Sequence, residues 1–301
     1  MIEVRDLSPQ REPFIPMSHC NCSSSSCATT NARRPLTAIV LAAGKGTRMQ
    51  SDLPKVMHPV AGRPMVRWVV DAARASGCAR IVLVVGYGAS LIEAEFAHDR
   101  DVEFALQTEQ LGTGHAVSMT KPLLEQSAQG SDFFVLCGDG PLVRSETLDT
   151  LLDAHRTHRA SATLATSVIE TPTGYGRIVR DATGAFTRIV EQKDASPGEL
   201  EIREINPSYY CVRGEELFST LAQIGNSNRS GEYYFTDLFG ILASHGRTVH
   251  AVAAVPAEDV LSINDPAQLA VVDAILRNRK PTPTQCGTPT AASSSTLRIS
   301  S

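Results

Sequence analysis

Two apolar periods alternate along the middle of the chain. Thr37–Ala42 is a short run rich in branched residues and predicts a strand. Behind Pro64, residues Met65, Val69, Ala72 and Ala73 recur at helical spacing, with the proline suited to a first-turn position. Arg80–Val85 predicts a second strand, Leu91–Ala97 a short helix and Val102–Leu106 a third strand, with helix-compatible sequence from Gly114. Asp132–Cys137 is a fourth apolar run, and Thr147–His158 reads as the helix after it. This order implies a mostly parallel sheet with helices on both faces. After Ala160 the pattern changes. Arg177–Val179 and Ala185–Glu191 flank Asp181-Ala-Thr-Gly184, which reads as a hairpin turn. Tyr209–Val212, helices around 215–224 and 233–245, a strand at 248–254 and a helix from Pro266 to Arg279 complete the region. The expected fold class is α/β, a Rossmann-like doubly wound sheet whose second half is mixed.

Composition narrows the function classes. The chain has 301 residues, 42% hydrophobic and 20% charged, enough for a core and too apolar for global disorder. Its 28 Lys+Arg against 32 Asp+Glu leave a net charge of -4, with the basic residues scattered, so no nucleic acid is expected as partner. No apolar run approaches the roughly 20 residues of a membrane span, and no signal core opens the chain, so cytoplasm is the expected location. Residues 1–34 and 282–301 are rich in Ser, Pro and Thr and read as flexible extensions around a domain at 35–281. Cys20, Cys22 and Cys27 with His19 lack the spacing of a zinc knuckle, and an odd count of seven cysteines argues against a disulfide framework.

Open α/β sheets bind ligands beyond the carboxyl ends of their strands. Three loops at such ends are unusual. In Leu41-Ala-Ala-Gly-Lys-Gly-Thr-Arg-Met49, followed by Leu53-Pro-Lys55, small residues let backbone N–H groups approach an anion, and Lys45, Arg48 and Lys55 supply charge. It is neither a Walker loop, because Gly46 follows Gly44-Lys45, nor a dinucleotide fingerprint, because Met49 holds the third glycine position. Leu106-Gln-Thr-Glu-Gln-Leu-Gly-Thr-Gly-His115 offers the Gln107 amide to a base edge; read plainly, it is a βα turn with a helix cap at Thr113. Cys137-Gly-Asp-Gly-Pro141 puts Asp139 just past an apolar strand, where a carboxylate suits Mg²⁺, although Gly-Asp-Gly is also an ordinary turn. Cys137 itself reads as core rather than nucleophile. The conjunction of all three loops at one sheet edge outweighs any single loop.

Together with Pro172-Thr-Gly-Tyr-Gly-Arg-Ile178, Ile189-Val-Glu-Gln-Lys-Asp-Ala195, Glu204-Ile-Asn206 and Gly231-Glu-Tyr-Tyr-Phe-Thr-Asp237, these loops resemble the sugar-phosphate nucleotidyltransferases over residues 37–280. In particular they are similar to the uridylyltransferase half of the bifunctional N-acetylglucosamine-1-phosphate uridylyltransferase/acetyltransferase family. The resemblance implies a nucleotide-diphospho-sugar transferase fold and an enzyme with UTP and a sugar 1-phosphate as its small-molecule partners. It would form UDP-N-acetylglucosamine, a cell-envelope precursor, and pyrophosphate, with Mg²⁺ as cofactor. Leu41, Ala42, Ala43, Gly44, Gln107, Gly112 and Thr113 would hold the uridine, and Arg48 and Lys55 the phosphates. Gly138 and Asp139 would line the centre of the site. Gly176, Glu191 and Asn206 would face the sugar, and Asp139 and Asn264 would hold the metal.

Three departures from the family pattern stand out. Gly140 replaces an aliphatic residue, Pro207-Ser208 replaces Thr-Gly, and Ser262-Ile-Asn-Asp-Pro266 lacks the usual arginine. They leave open a uridylyltransferase for another hexose 1-phosphate, or a non-catalytic nucleotide-sugar binding module. A molybdopterin nucleotidyltransferase would share the first loop but neither Gln-Leu-Gly-Thr-Gly-His nor Gly-Tyr-Gly-Arg. The stretch after Lys280 is too short for stacked six-residue repeats, so no left-handed β-helix, no acetyltransferase activity and no trimer built on such a domain are expected.

Overall fold

A computed structural model describes residues 34–279. The extensions and the Cys20/Cys22/Cys27 cluster with His19 lie outside the described residues. The apolar runs become strands β1 (Leu36–Leu41), β4 (Arg80–Val85), β5 (Val102–Leu106) and β6 (Asp132–Cys137), the last three at the expected residues. A small hairpin, β2 (Pro59–Val60) and β3 (Arg63–Pro64), precedes helix α1 (Met65–Ala75). Pro64 therefore stands one residue before the helix, not in its first turn, because its extended backbone (ψ 136°) completes the hairpin. Helix α2 (Ala89–Glu95) follows β4. The helical stretch after β5 divides into α3 (Thr113–Ser118) and α4 (Lys121–Ala128), and α5 (Ser145–Thr157) follows β6.

The second half comprises β7 (Ala162–Val168), β8 (Gly176–Arg180), β9 (Phe186–Val190), α6 (Pro197–Leu200), β10 (Glu204–Arg213), α7 (Gly214–Leu221), α8 (Asp237–Ser244), β11 (Val249–Ala253) and α9 (Pro266–Asn278). The main sheet runs β11-β7-β10-β6-β1-β4-β5, with β8 and β9 attached to β10. Pairs β1/β4, β1/β6, β4/β5 and β7/β11 are parallel, while β10 is antiparallel to β6, β7 and β8. Alternate side chains feed two cores. Ala38, Val40, Leu83 and Leu136 pack with α1, α5 and α9 on one face; Ile39, Val84, Val135 and Val212 pack with α3, α4, α7 and α8 on the other. Each such Val, Leu or Ile side chain, fully buried, contributes about 1.5–3 kcal/mol. The doubly wound, mostly parallel mixed sheet is thus present, and no left-handed β-helix occurs among the described residues.

Parallel pairing places the carboxyl ends of β1, β4, β5 and β6 on one edge. Because β10 runs the other way, it delivers its amino-terminal half to that same edge, Tyr209 pairing with Leu136. No helix among the described residues is long and apolar enough to cross a membrane.

Candidate active site

Two adjoining cavities open at this edge and share Cys137 and Asp139. The first, about 270 Å³, is lined by Leu41, Ala42, Ala43, Gly44, Lys55, Gln107, Gly112 and Thr113. The second, about 310 Å³, is lined by Arg48, Gly176, Glu191, Asn206 and Asn264. Of the fifteen residues implicated by resemblance, only Gly138 lines neither. Its N–H donates to the Leu41 carbonyl at 2.9 Å, and a Cβ on Gly138 would meet that same oxygen at 2.8 Å. Gly138 therefore lets β1 and β6 stay close at the centre of the edge. Cys137, expected in the core, instead forms part of both cavity walls, since it is the last residue of β6. Burial pushes its thiol up to about 12, which keeps it protonated and a poor nucleophile.

The first cavity's far wall is the loop 107–113. Gln107 is buried, and its amide N–H groups reach the Gly112 carbonyl at 3.2 Å and His115 Nδ1 at 3.0 Å. That leaves its oxygen as an acceptor for a ligand. Thr113 does not cap the helix: its hydroxyl accepts from the Phe235 N–H at 2.9 Å, while Gly112 holds the cap position without a side-chain bond. Two backbone bonds, Tyr233 N–H to Leu111 (2.8 Å) and Gly114 N–H to Tyr233 (2.7 Å), lace the loop to the segment 231–237. This lacing explains why the helix expected at 233–245 begins only at Asp237.

Between the cavities four polar side chains converge from distant positions. The Lys55 ammonium donates to Asp139 and, at 2.8 Å, to Asn264 Oδ1, which also accepts from Arg48 at 2.9 Å. Asn264 is brought there by the backbone, the Ile263 N–H donating to the Asp139 carbonyl at 3.0 Å. The neighbouring Asp265 is a genuine helix cap, accepting from the Gln268 N–H at 2.8 Å, so capping and the site fall to adjacent residues. Upstream, buried Asp259 pairs with Arg144 and Arg279 and anchors this stretch of chain. Lys45 stays outside the cavities, its ammonium 5.0 Å from the centre of the Tyr87 ring.

Sheet register assembles the second cavity. Asn206 pairs with Gly176, and Arg177 pairs with Val190, so Glu191 arrives beside Gly176. Burial, reinforced by the nearby carboxylates Asp237, Asp194 and Glu232, raises the Glu191 carboxyl above its ordinary range despite a hydrogen bond from Thr236 at 2.9 Å. The Asn206 amide donates to the Tyr210 hydroxyl at 2.7 Å. Pro207 and Ser208 line this cavity: Ser208 has φ +69°, and the β10–β7 register shifts between Ile205 and Tyr209. Thr236, Ser262 and Gln268 were not foreseen. Thr236 holds Glu191, while Ser262 and Gln268 hold Asn264. The motif 231–237 contains Thr236 and the stretch 262–266 contains Ser262, whereas no motif contains Gln268.

A cleft between the two halves of a doubly wound sheet, small-residue loops on one side and a cationic cluster in the middle, defines a nucleotide-handling fold. The chain belongs to the family of MobA-like NTP transferase domains, which its residues 38–223 match. It is 48% identical over 244 residues to the "Bifunctional protein GlmU" of Pelobacter propionicus, covering 81% of this chain and 53% of that protein. The same-named protein of Brevibacillus brevis is 48% identical over 242 residues, covering 80% and 52%. The chain thus spans about half the length of the relatives it matches. In solved structures its fold is shared by an apo UDP-glucose pyrophosphorylase (TM-score 0.65, 16% identity, 81% of this chain and 98% of that one). A UDP-glucose complex of a UDP-glucose pyrophosphorylase matches equally well, at 0.65 and 16%, over 81% of this chain and all of the other.

Proposed function

We propose that this chain is a sugar-1-phosphate uridylyltransferase, moving UMP from UTP to N-acetylglucosamine 1-phosphate with release of pyrophosphate. The observation that carries the reading is the meeting of Lys55, Arg48, Asp139 and Asn264 where a base-sized cavity adjoins a polar one. Uridine would lie against residues 41–44 and 107–113, with Gln107 and the Gly112–Thr113 backbone on its base. The sugar would lie against Gly176, Glu191 and Asn206.

An oxygen of the sugar phosphate attacks the α-phosphorus of UTP in line, the bond to the β-phosphate oxygen breaks, and pyrophosphate leaves with that electron pair. A phosphate monoester with a second pKa near ~6 is already largely dianionic at neutral pH, so no general base is needed. What the protein must do is bring two polyanions together and offset charge on the leaving group. Lys55 and Arg48 bring cationic donors to the phosphates, and the loop of small residues brings backbone N–H groups.

Asp139 and Asn264 would hold a divalent ion. Their two hard oxygens already converge on one cationic point, the Lys55 ammonium, and one carboxylate plus an amide suits Mg²⁺, whose other ligands are commonly phosphate oxygens and water. When bound, the ion supplies positive charge to the phosphates. No trio of His, Cys, Asp or Glu positioned for a metal occurs among the described residues, so substrate oxygens would complete the shell. Pyrophosphate release from UTP with a panel of sugar 1-phosphates tests the proposal. Turnover should be highest with N-acetylglucosamine 1-phosphate; a better rate with another hexose phosphate would move the acceptor, and none with any would remove the reading.

A further inference from the structure

Gly140, in the loop that follows β6, and Tyr209, on β10, fit one another. Gly140 is not in the left-handed region, so its backbone would accept a side chain. What a Cβ there would meet is the Tyr209 hydroxyl at 3.3 Å; its next neighbours, the Cys137 carbonyl and Tyr209 Cε1, are both an ordinary 3.8 Å away. The phenol tip therefore takes the space that a side chain at position 140 would need.

Gly140 is bonded to Asp139, and both Gly140 and Tyr209 line the second cavity beside Glu191 and Asn206. Two features of β10 aim the ring there: the register shift between Ile205 and Tyr209, and Ser208 at φ +69°. Such irregularities redirect side chains beside sites. The neighbouring tyrosine has a partner, Asn206 donating to Tyr210 Oη at 2.7 Å. The Tyr209 hydroxyl has no hydrogen-bond partner among the described residues, and burial raises it far above the ordinary phenol range, so it remains a donor. A buried tyrosine hydroxyl usually finds a partner, and here the open side is the cavity.

We infer that Tyr209 is a specificity-determining residue, its hydroxyl donating a hydrogen bond to an oxygen-bearing ring substituent of the acceptor sugar 1-phosphate, in a space kept open by Gly140. This role rests on the uridylyltransferase reading. It also gives the Gly140 and Pro207-Ser208 departures one joint purpose, the placement of a phenol in the acceptor cavity.

The test is steady-state kinetics of pyrophosphate release for wild type, Tyr209→Phe, Gly140→Ala and the double variant, with thermal melts alongside. Removing one hydrogen bond should raise the KM for the sugar 1-phosphate about 3–10-fold in Tyr209→Phe, leaving the KM for UTP unchanged. Gly140→Ala should give the same acceptor-side defect by displacing the hydroxyl. The double variant should be no worse than Tyr209→Phe alone, because without the oxygen the added methyl has room. An unchanged acceptor KM in Tyr209→Phe, equal shifts in both KM values, or strictly additive defects would overturn the inference while the uridylyltransferase reading survived. If Tyr209→Phe melts early, Gly140→Ala decides by the same acceptor-against-UTP comparison. Absence of turnover in wild type would overturn the underlying reading and this inference with it.

Discussion

Replacing Gly112 by alanine tests how the base-side loop is held. Gly112 has φ +115° and ψ 175°, a region that is essentially glycine's alone, and an added Cβ would lie 2.6 Å from the Tyr233 carbonyl oxygen and 2.8 Å from its nitrogen. Both are backbone atoms and cannot rotate away. If the loop stays in place, the variant carries about 1–3 kcal/mol of backbone strain and a comparable overpacking cost. If the loop retreats, it gives up the Gly114–Tyr233 and Tyr233–Leu111 backbone bonds and the Phe235–Thr113 bond, at about 1 kcal/mol each. The first route costs about 2–6 kcal/mol and the second about 3, so the cheaper of the two loses about 2–3 kcal/mol, a fall in Tm of roughly 4–12 °C for a domain of this size. The Gly112 carbonyl also holds the Gln107 amide, so the KM for UTP should rise while the acceptor KM moves less. Differential scanning calorimetry and initial rates measure both. Gly198→Ala is the control, since nothing lies within 4 Å of its Cβ. A Gly112→Ala protein as stable as that control would refute the steric reasoning.

Asp139→Asn keeps shape but removes a charge, and should lower kcat by about 10²–10³ with the melting temperature retained; near-wild-type turnover would dismiss the metal role. With its N–H groups committed to Gly112 and His115, Gln107 presents an acceptor, complementary to the N3–H of uracil and not to the bare N3 of cytosine. UTP should therefore be preferred over CTP by a kcat/KM ratio on the order of 10⁴, and Gln107→Ala should collapse the ratio. Burial raises the Glu191 carboxyl, so the folded state holds this proton to higher pH than the unfolded chain does. Its contribution to stability is then lost as pH rises from about 4.3, the unfolded value, through the raised one. Glu191→Gln should be more stable than wild type above that window and raise the acceptor KM about tenfold; urea titrations across pH that show parallel curves for the two proteins would rule this out.

The inner strands of the parallel half were legible almost to the residue because they are buried on both faces and read as apolar runs, as at 80–85 and 132–137. β7 passed unread for the opposite reason. Its sequence Ala162-Thr-Leu-Ala-Thr-Ser-Val168 is buried yet half polar, because Thr163 meets the buried His155 at 2.9 Å and Thr166 meets Glu204 at 2.8 Å. β10 begins five residues before its apolar run, since Pro207 sits at an irregularity and not at the strand's start. At the site, residues that carry charge or an amide on a strand-end loop could be read from composition. Gly176, Glu191, Asn206 and Asn264 came from resemblance, because sheet pairing and one backbone bond join them across long separations. Thr236 could not be found locally at all: a threonine before a helix looks like a cap, whereas its hydroxyl is spent on Glu191.

The direction of β10 explains how one sheet can face the two polyanions proposed as substrates. Were it parallel to β6, its amino end would lie on the opposite edge, and Asn206 would be the full length of a strand away from Asp139. Running antiparallel, it sets Asn206 and the attached β8–β9 hairpin beside the loops that follow β1, β5 and β6, and Asp139 becomes the one carboxylate common to both cavities. The two cavities are also spaced by a single short segment. Phe235 bonds Thr113 on the base side, and the very next residue, Thr236, bonds Glu191 on the acceptor side. One peptide unit therefore sets the distance between the loop proposed to read the nucleotide and the carboxylate proposed to read the sugar. Bringing two substrates within bonding distance is the principal demand of the proposed reaction, which uses no general base, and a spacer that short, made of backbone, would meet it with little loss of conformational freedom.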